Sequence, residues 1–190
     1  FQMRRDLAIL RIAEPALDAG AEVQELPVLE RIRVRYPEQE AFPPDHRLYD
    51  AEALFKAKGE LWILSKQRQT FRTTLYRVPE GGDEVRDLER VQDLEVGGQG
   101  HPYGGMVTAA DVDPDERYLA VLTYHALFIF DLSTVDGDQL LSHEVRRLEL
   151  RGGVLRQCES LAWDGDDLLI GNENGRVFRV PKAVTGKELL

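Results

Sequence analysis

The chain is a succession of short apolar or alternating runs of about four to eight residues, each closed by turn residues, a pattern that predicts strands joined by hairpins. The pattern is plainest near the C-terminal end. Ser160 to Trp163 reads as a strand, Asp164-Gly165-Asp166 as a turn, Leu168 to Ile170 as a second strand, and Arg176 to Val180 as a third that Pro181 stops. Asn174-Gly175 predicts a type I′ turn between the last two, because that turn needs positive φ at both central positions. The same parts occur upstream as Ala109 to Val112, the turn Asp113-Pro114-Asp115-Glu116, Tyr118 to Thr123, a tight turn at Tyr124-His125, Ala126 to Leu132 and an outer strand over Glu144 to Leu150. A looser first unit has its first turn at Lys58-Gly59, then Leu61 to Ser65, a longer turn over Lys66 to Thr70, Thr73 to Val78, and an outer strand near Val85 to Val96.

One phrase recurs three times: an acidic residue in an apolar run, a hairpin, then an aromatic-rich strand. Asp50 to Leu54 leads to Leu75 to Val78, Ala110-Asp111-Val112 to Phe128 to Asp131, and Glu159 to Ala162 to Val177 to Val180. Counted from Glu52, Asp111 and Glu159, the separations are 23, 17 and 18 residues. Four-stranded antiparallel units repeating at roughly 50 residues predict an all-β fold built of β-propeller blades, with boundaries near residues 49, 106 and 156. The chain enters in mid-blade, since Asp6 to Ile12 matches a third strand and Leu29 to Arg35 an outer one. The last unit stops after its third strand, leaving Lys182 to Leu190 for at most part of a fourth. The expectation is a partial propeller of about three to four blades, two of them whole.

The phrases Asp50-Ala-Glu-Ala-Leu54, Glu159-Ser-Leu-Ala-Trp163 and Leu61-Trp-Ile-Leu-Ser-Lys66 resemble those of phytase-like and SdiA-regulated-like six-bladed propellers. Met106 to Asp131 resembles uncharacterised bacterial propellers carrying a Val-Thr-Ala-Ala-Asp-Val-x-Pro-Asp phrase. Trp163-Asp164 lies in the first turn of its unit, which departs from WD-repeat proteins, where that dipeptide ends the third strand.

Composition narrows the partners. With 190 residues, 43% of them hydrophobic, the chain can bury a sizeable core as one repeat array. A formal charge of −10 opposes binding to a phosphate backbone, so nucleic acid is not an expected partner. No run approaches the roughly 18 apolar residues of a membrane span. The single cysteine, Cys158, has no intramolecular disulfide partner. Phe1-Gln2 ahead of Met3 reads as a tag remnant. The compartment stays open: cytoplasmic for the chain as it stands, extracytoplasmic if a signal was removed upstream.

In a blade the first strand lines the channel, so its start and the turn between the second and third strands emerge on one face. Asp50, Glu52, Asp111 and Glu159 are expected there from strand starts, Lys66, Arg68, Tyr124, His125, Asn172 and Asn174 from turns, and His101 and Tyr103 from the loop over Gly97 to Gly105. Such convergence is the usual place for a ligand site. Glu52, Asp111 and Glu159 are the candidate metal ligands, with Ca²⁺ the cation that carboxylates suit. The same carboxylates can instead accept backbone N–H groups and lock adjacent blades together.

Nucleophilic and phosphate-loop chemistry find no support. There is no Gly-x-Ser-x-Gly, and Gly97-Gly98-Gln99-Gly100 lacks a following Lys-Ser/Thr. The chain therefore reads as a module binding a small-molecule or protein ligand at the channel mouth. The alternative implied by the resemblance is a metal-assisted phosphoesterase, lactonase or esterase whose channel carboxylates hold a substrate-polarising cation. Incomplete terminal blades predict open sheet edges and self-association, with two copies closing one ring.

Overall fold

A computed structural model of the chain describes residues 4–15, 25–82, 84–100, 105–150 and 157–185. Fourteen strands and one short helix occur among them. Strands β1 (Ala8–Ile12), β2 (Val28–Arg35) and β6 (Arg86–Asp87) form one sheet. Strands β3 (Ala51–Ala57), β4 (Glu60–Ser65), β5 (Arg72–Arg77) and β7 (Glu89–Glu95) form the next, in the order β3-β4-β5-β7. Strands β8 (Val107–Val112), β9 (Tyr118–Thr123), β10 (Ala126–Asp131) and β11 (Glu144–Glu149) repeat that order, and β12 (Cys158–Asp164), β13 (Asp167–Asn172) and β14 (Val177–Val180) repeat its first three places. Helix α1 covers Lys182–Thr185.

The sheets stack face to face. Ile32, Val34 and Tyr36 of the first sheet and its exit pack on Ile63, Tyr76 and Val78. Phe55, Trp62, Leu64 and Leu75 meet Leu119, Val121, Phe128 and Phe130. Ala120, Leu122, Leu127 and Ile129 meet Cys158, Leu168 and Ile170. The first strands lie side by side, with β8 between β3 and β12. Neighbouring four-stranded antiparallel sheets radiating from adjacent first strands are the arrangement of part of a β-propeller.

This stacking explains the hydrophobic pattern. The β8–β11 sheet is covered on both faces, so every residue of β9 and β10 is buried, and those strands read as unbroken apolar runs. The β12–β14 sheet has one covered face, and its strands alternate. The two terminal sheets turn apolar side chains outward: Leu10, Ile12, Val28 and Leu29 at one end, and Val177, 69% exposed, at the other.

Three local expectations are corrected. Asn174-Gly175 does not form a type I′ turn: only Gly175 has positive φ, and the Asn172 carbonyl accepts the Gly175 N–H while the Asn172 N–H donates to the Arg176 carbonyl. That is a type I turn with glycine in the left-handed position behind it, a three-residue alternative that the same dipeptide serves equally. The type I′ conformation falls at Lys58-Gly59, with φ of 52° and 82°. The outer strand expected over Val85 to Val96 is split, because Arg86 and Asp87 leave the sheet to pair in parallel with Val34 and Arg35, and only β7 continues it. After Pro181 the described chain turns into α1 rather than starting a fourth strand. No helix among the described residues is long and apolar enough to cross a membrane.

Trp62 has no exposed surface and its indole N–H donates to the Ala57 carbonyl at 3.1 Å, joining β3 to β4. Trp62→Ala is expected to lower unfolding free energy by about 3–5 kcal/mol in a urea titration.

Candidate functional site at the channel mouth

Each first strand carries a β-bulge at its second residue. The register shifts between Ala51 and Ala53, between Val107 and Ala109, and between Cys158 and Ser160, leaving Glu52, Thr108 and Glu159 as the extra residues. A bulge re-aims the side chain of the residue left out of the ladder. A second repeated contact holds the strand that follows. The N–H groups of Lys66, Tyr124 and Glu173 donate to the carbonyls of Asp50, Met106 and Gln157 at 2.6, 3.3 and 3.1 Å. Register therefore makes Glu52, Thr108 and Glu159 equivalent, and likewise Lys66, Tyr124 and Glu173.

Side chains from these two sets converge. The Lys66 ammonium, on a side chain only 4% exposed, lies 3.2 Å from Glu52 Oε2 and 3.8 Å from Glu159 Oε2. It donates to the Tyr124 hydroxyl at 3.1 Å and sits 5.0 Å from the centre of that ring. The Tyr124 hydroxyl in turn donates to Glu159 Oε1. Arg68 grips Asp50 Oδ2 through Nε and Nη2 at 3.1 and 2.7 Å, with Nη2 3.7 Å from Glu52 Oε1. Three sheets are thus joined through one buried cation, because Lys66 leaves the end of β4, Tyr124 the end of β9, and Glu159 the start of β12.

The electrostatics are strained. Burial pushes the Glu52 carboxyl above its ordinary pKa; Lys66 counteracts this, while Asp50 and Glu159 add to the rise. Burial, then the hydrogen bond to Glu159, raises the Tyr124 phenol well above its usual range. The Tyr36 phenol is raised by burial and by neighbours that include Asp50 and Glu52. Among the described residues, the buried hydroxyls of Thr108 and Tyr36 have no hydrogen-bond partner. Buried polar atoms of that kind usually mark strain, water or a ligand.

The other expected residues disperse. Asp111 is not part of the cluster: its Oδ2 accepts the Trp163 N–H at 2.8 Å and its carbonyl accepts the Trp163 indole N–H at 3.3 Å, so it locks β8 to β12. Register places it opposite Ala120, equivalent to Phe55 opposite Trp62, three residues beyond the bulge. Asp113 Oδ1 accepts the N–H groups of Arg117 and Tyr118, both at 2.7 Å, and closes a turn. His125 contacts Thr123 Oγ1 through Nδ1 at 3.0 Å and lines a separate groove of about 620 Å³ with Gly97, Gly98, Gln99, Gly100 and Arg147. Asn172 Oδ1 accepts the N–H groups of Asn174 and Arg176, both at 3.1 Å, and shapes the β13–β14 turn. His101 and Tyr103 lie outside the described residues. Among the described residues no group of three or more His, Cys, Asp or Glu side chains is arranged to hold a metal ion. Asp111 therefore does not join Glu52 and Glu159, and Thr108, which sequence reading passed over, stands at the third bulge position. Its signal was the place in the strand, not the residue type.

No family model matches the chain, and no curated protein matches it. Among solved structures it is similar to the Saccharomyces cerevisiae Sqt1 crystal structure, at 10% identity and a TM-score of 0.41 over 71% of this chain and 32% of that one. It is also similar to the crystal structure of the computationally designed Ika4 protein, at 12% identity and a TM-score of 0.35 over 77% of this chain and 94% of that one. The chain spans about a third of the length of Sqt1.

Two outcomes follow from the site. Glu52 has a folded-state pKa above its unfolded value near 4.5, so ionising it opposes folding above the folded pKa, and that penalty fades as pH falls through the unfolded value. Glu52→Gln is expected to raise the melting temperature at pH 7, with the gap closing near pH 4. Asp111→Ala removes a charge-assisted bond to a backbone N–H between sheets, and should lower unfolding free energy by about 1–3 kcal/mol in urea.

Proposed function

We propose that the chain is a ligand-binding propeller module whose site is the channel mouth formed by Glu52, Thr108, Glu159, Lys66, Tyr124 and Arg68. The observation that carries this reading is the thrice-repeated bulge, from two of which Glu52 and Glu159 converge with Tyr124 of the sheet between them on the Lys66 ammonium. A purely structural junction would gain from apolar or fully satisfied residues at such positions. Here a nearly buried lysine, a carboxyl with a raised pKa and an unpartnered hydroxyl accumulate instead. Unfavourable local energetics of this kind are a recurring feature of functional sites.

The metal-assisted hydrolase is the weaker reading. Among the described residues no group of three or more His, Cys, Asp or Glu side chains is arranged to hold the divalent cation that it requires. The reading also includes self-association, supported by outward apolar residues on the terminal sheets and by an outer edge of β14 that pairs with no strand among the described residues.

Isotope-labelled full chain screened by amide NMR against amines, carboxylates, sugars and phosphate esters is expected to show saturable shifts at Lys66, Thr108, Tyr124 and Glu173. Absence of any response there would sink the binding reading. Turnover of p-nitrophenyl phosphate or acetate that requires Ca²⁺ and disappears in both Glu52→Gln and Glu159→Gln would replace it with the hydrolase. Light scattering at micromolar concentration should give about twice the chain mass of 21.6 kDa, whereas a stable monomer removes the self-association.

A further inference from the structure

The channel mouth is short of positive charge. Among the described residues Asp50 and Glu52 from one sheet and Glu159 and Glu173 from another face it, against one ammonium and one guanidinium, those of Lys66 and Arg68. Lys66 is within hydrogen-bond reach of Glu52 Oε2 and the Tyr124 hydroxyl, but Glu159 Oε2, at 3.8 Å, lies beyond it. Glu52 Oε1 likewise has Arg68 only at 3.7 Å. Among the described residues, one oxygen of each glutamate is therefore held by nothing closer than these longer ion contacts.

A third acceptor stands at the equivalent position between them. Because β8 lies between β3 and β12, register gives its bulge residue Thr108 the middle of the three equivalent positions that Glu52 and Glu159 occupy on either side. Thr108 is 2% exposed and its Oγ1 has no hydrogen-bond partner among the described residues. A buried unpaired hydroxyl is costly, and a donor arriving in the site relieves it. The two glutamate side chains are 22% and 28% exposed, so the acceptors open to solvent.

Two carboxylate oxygens and a hydroxyl oxygen match the three donors of a primary ammonium. The site already holds one such group: the Lys66 ammonium is desolvated, set beside two carboxylates and laid against an aromatic ring. A divalent cation, by contrast, takes six or more oxygen ligands, and among the described residues no group of three or more His, Cys, Asp or Glu side chains is arranged to hold one. We propose that the channel mouth binds a second primary ammonium group, carried by a small amine or by a lysine side chain of a peptide, between Glu52, Glu159 and Thr108. This inference rests on the channel-mouth binding reading above.

The probes are cadaverine for a small amine and Nα-acetyl-lysine methylamide for a peptide side chain, with the Nε-acetylated form of the latter as an uncharged control. Titrated into labelled full chain, either amine should shift the Thr108, Tyr124 and Glu159 amides saturably and more weakly as NaCl rises, while the control does not. Tighter binding of cadaverine assigns the group to a small molecule, and tighter binding of the lysine amide assigns it to a peptide. Glu159→Gln should weaken the amine by about tenfold or more, and Thr108→Val by about threefold to tenfold. If Glu159→Gln does not fold, Glu52→Gln takes its place, with the same weakening expected. Failure of both amines to bind, equal binding of the acetylated control, or unchanged affinity in the variants overturns the inference. Should carboxylates, sugars or phosphate esters shift these amides where amines do not, the ammonium assignment falls and the binding module stands. If no compound shifts them, both fall.

Discussion

Face-to-face packing of sheets that must be covered on both sides organises this molecule. Trp62, Leu64 and Leu75 have no exposed surface on one face of the β3–β7 sheet, and Ile63 and Tyr76 are buried on the other. The β8–β11 sheet is in the same position, with Leu119, Val121 and Phe128 on one side and Ala120, Leu122 and Leu127 on the other. Neither sheet is stable without its neighbours, since its strands carry apolar residues in every direction away from the backbone. Twisted sheets held at this spacing splay outward from their first strands, and β3, β8 and β12 are thereby brought together. The candidate site exists because of that packing.

The joints between first strands are made in two chemically different ways. At one level Asp111 spends both its carboxylate and its carbonyl on Trp163, a fully paired contact that fixes β8 against β12. Three residues earlier, at the bulges, the pairing is incomplete: Lys66 serves two glutamates and a tyrosine, and Thr108 Oγ1 has no hydrogen-bond partner among the described residues. A half-satisfied buried polar network is less stable than an apolar filling of the same space. The contrast within one strand separates a fully paired locking position from an incompletely paired one without reference to any relative.

The groove beside His125 illustrates how finely the hairpin divides these roles. Tyr124 and His125 are adjacent in one tight turn, yet Tyr124 reaches Lys66 and Glu159 while His125 bonds Thr123 and faces Gly97 to Gly100. The two side chains of this turn reach different neighbours, so a turn that looks like one functional unit in the sequence supplies two surfaces.

Much of the architecture was legible from the chain alone. Unbroken apolar runs at Tyr118–Thr123 and Ala126–Asp131 follow from burial on both faces, and the Lys58-Gly59, Asp113 to Glu116 and Gly165 turns follow from the backbone each requires. Glu52, Glu159, Lys66, Arg68 and Tyr124 were recognisable as one group because strand starts and second-to-third turns share a face of a blade. Three things were not legible. The bulges leave no mark in residue type, so counting from acid to aromatic put Asp111 in the place that register gives to Thr108. The parallel pairing of Arg86 and Asp87 with β2 depends on a strand about fifty residues away, which no local pattern encodes. The deprivation of Thr108 Oγ1 and the crowding of Lys66 arise only when three sheets meet. The sequence determined which segments are strands and which faces they bury, because those depend on periodicity; the tertiary structure alone decided which polar side chains confront one another, because that depends on register between strands far apart in the chain.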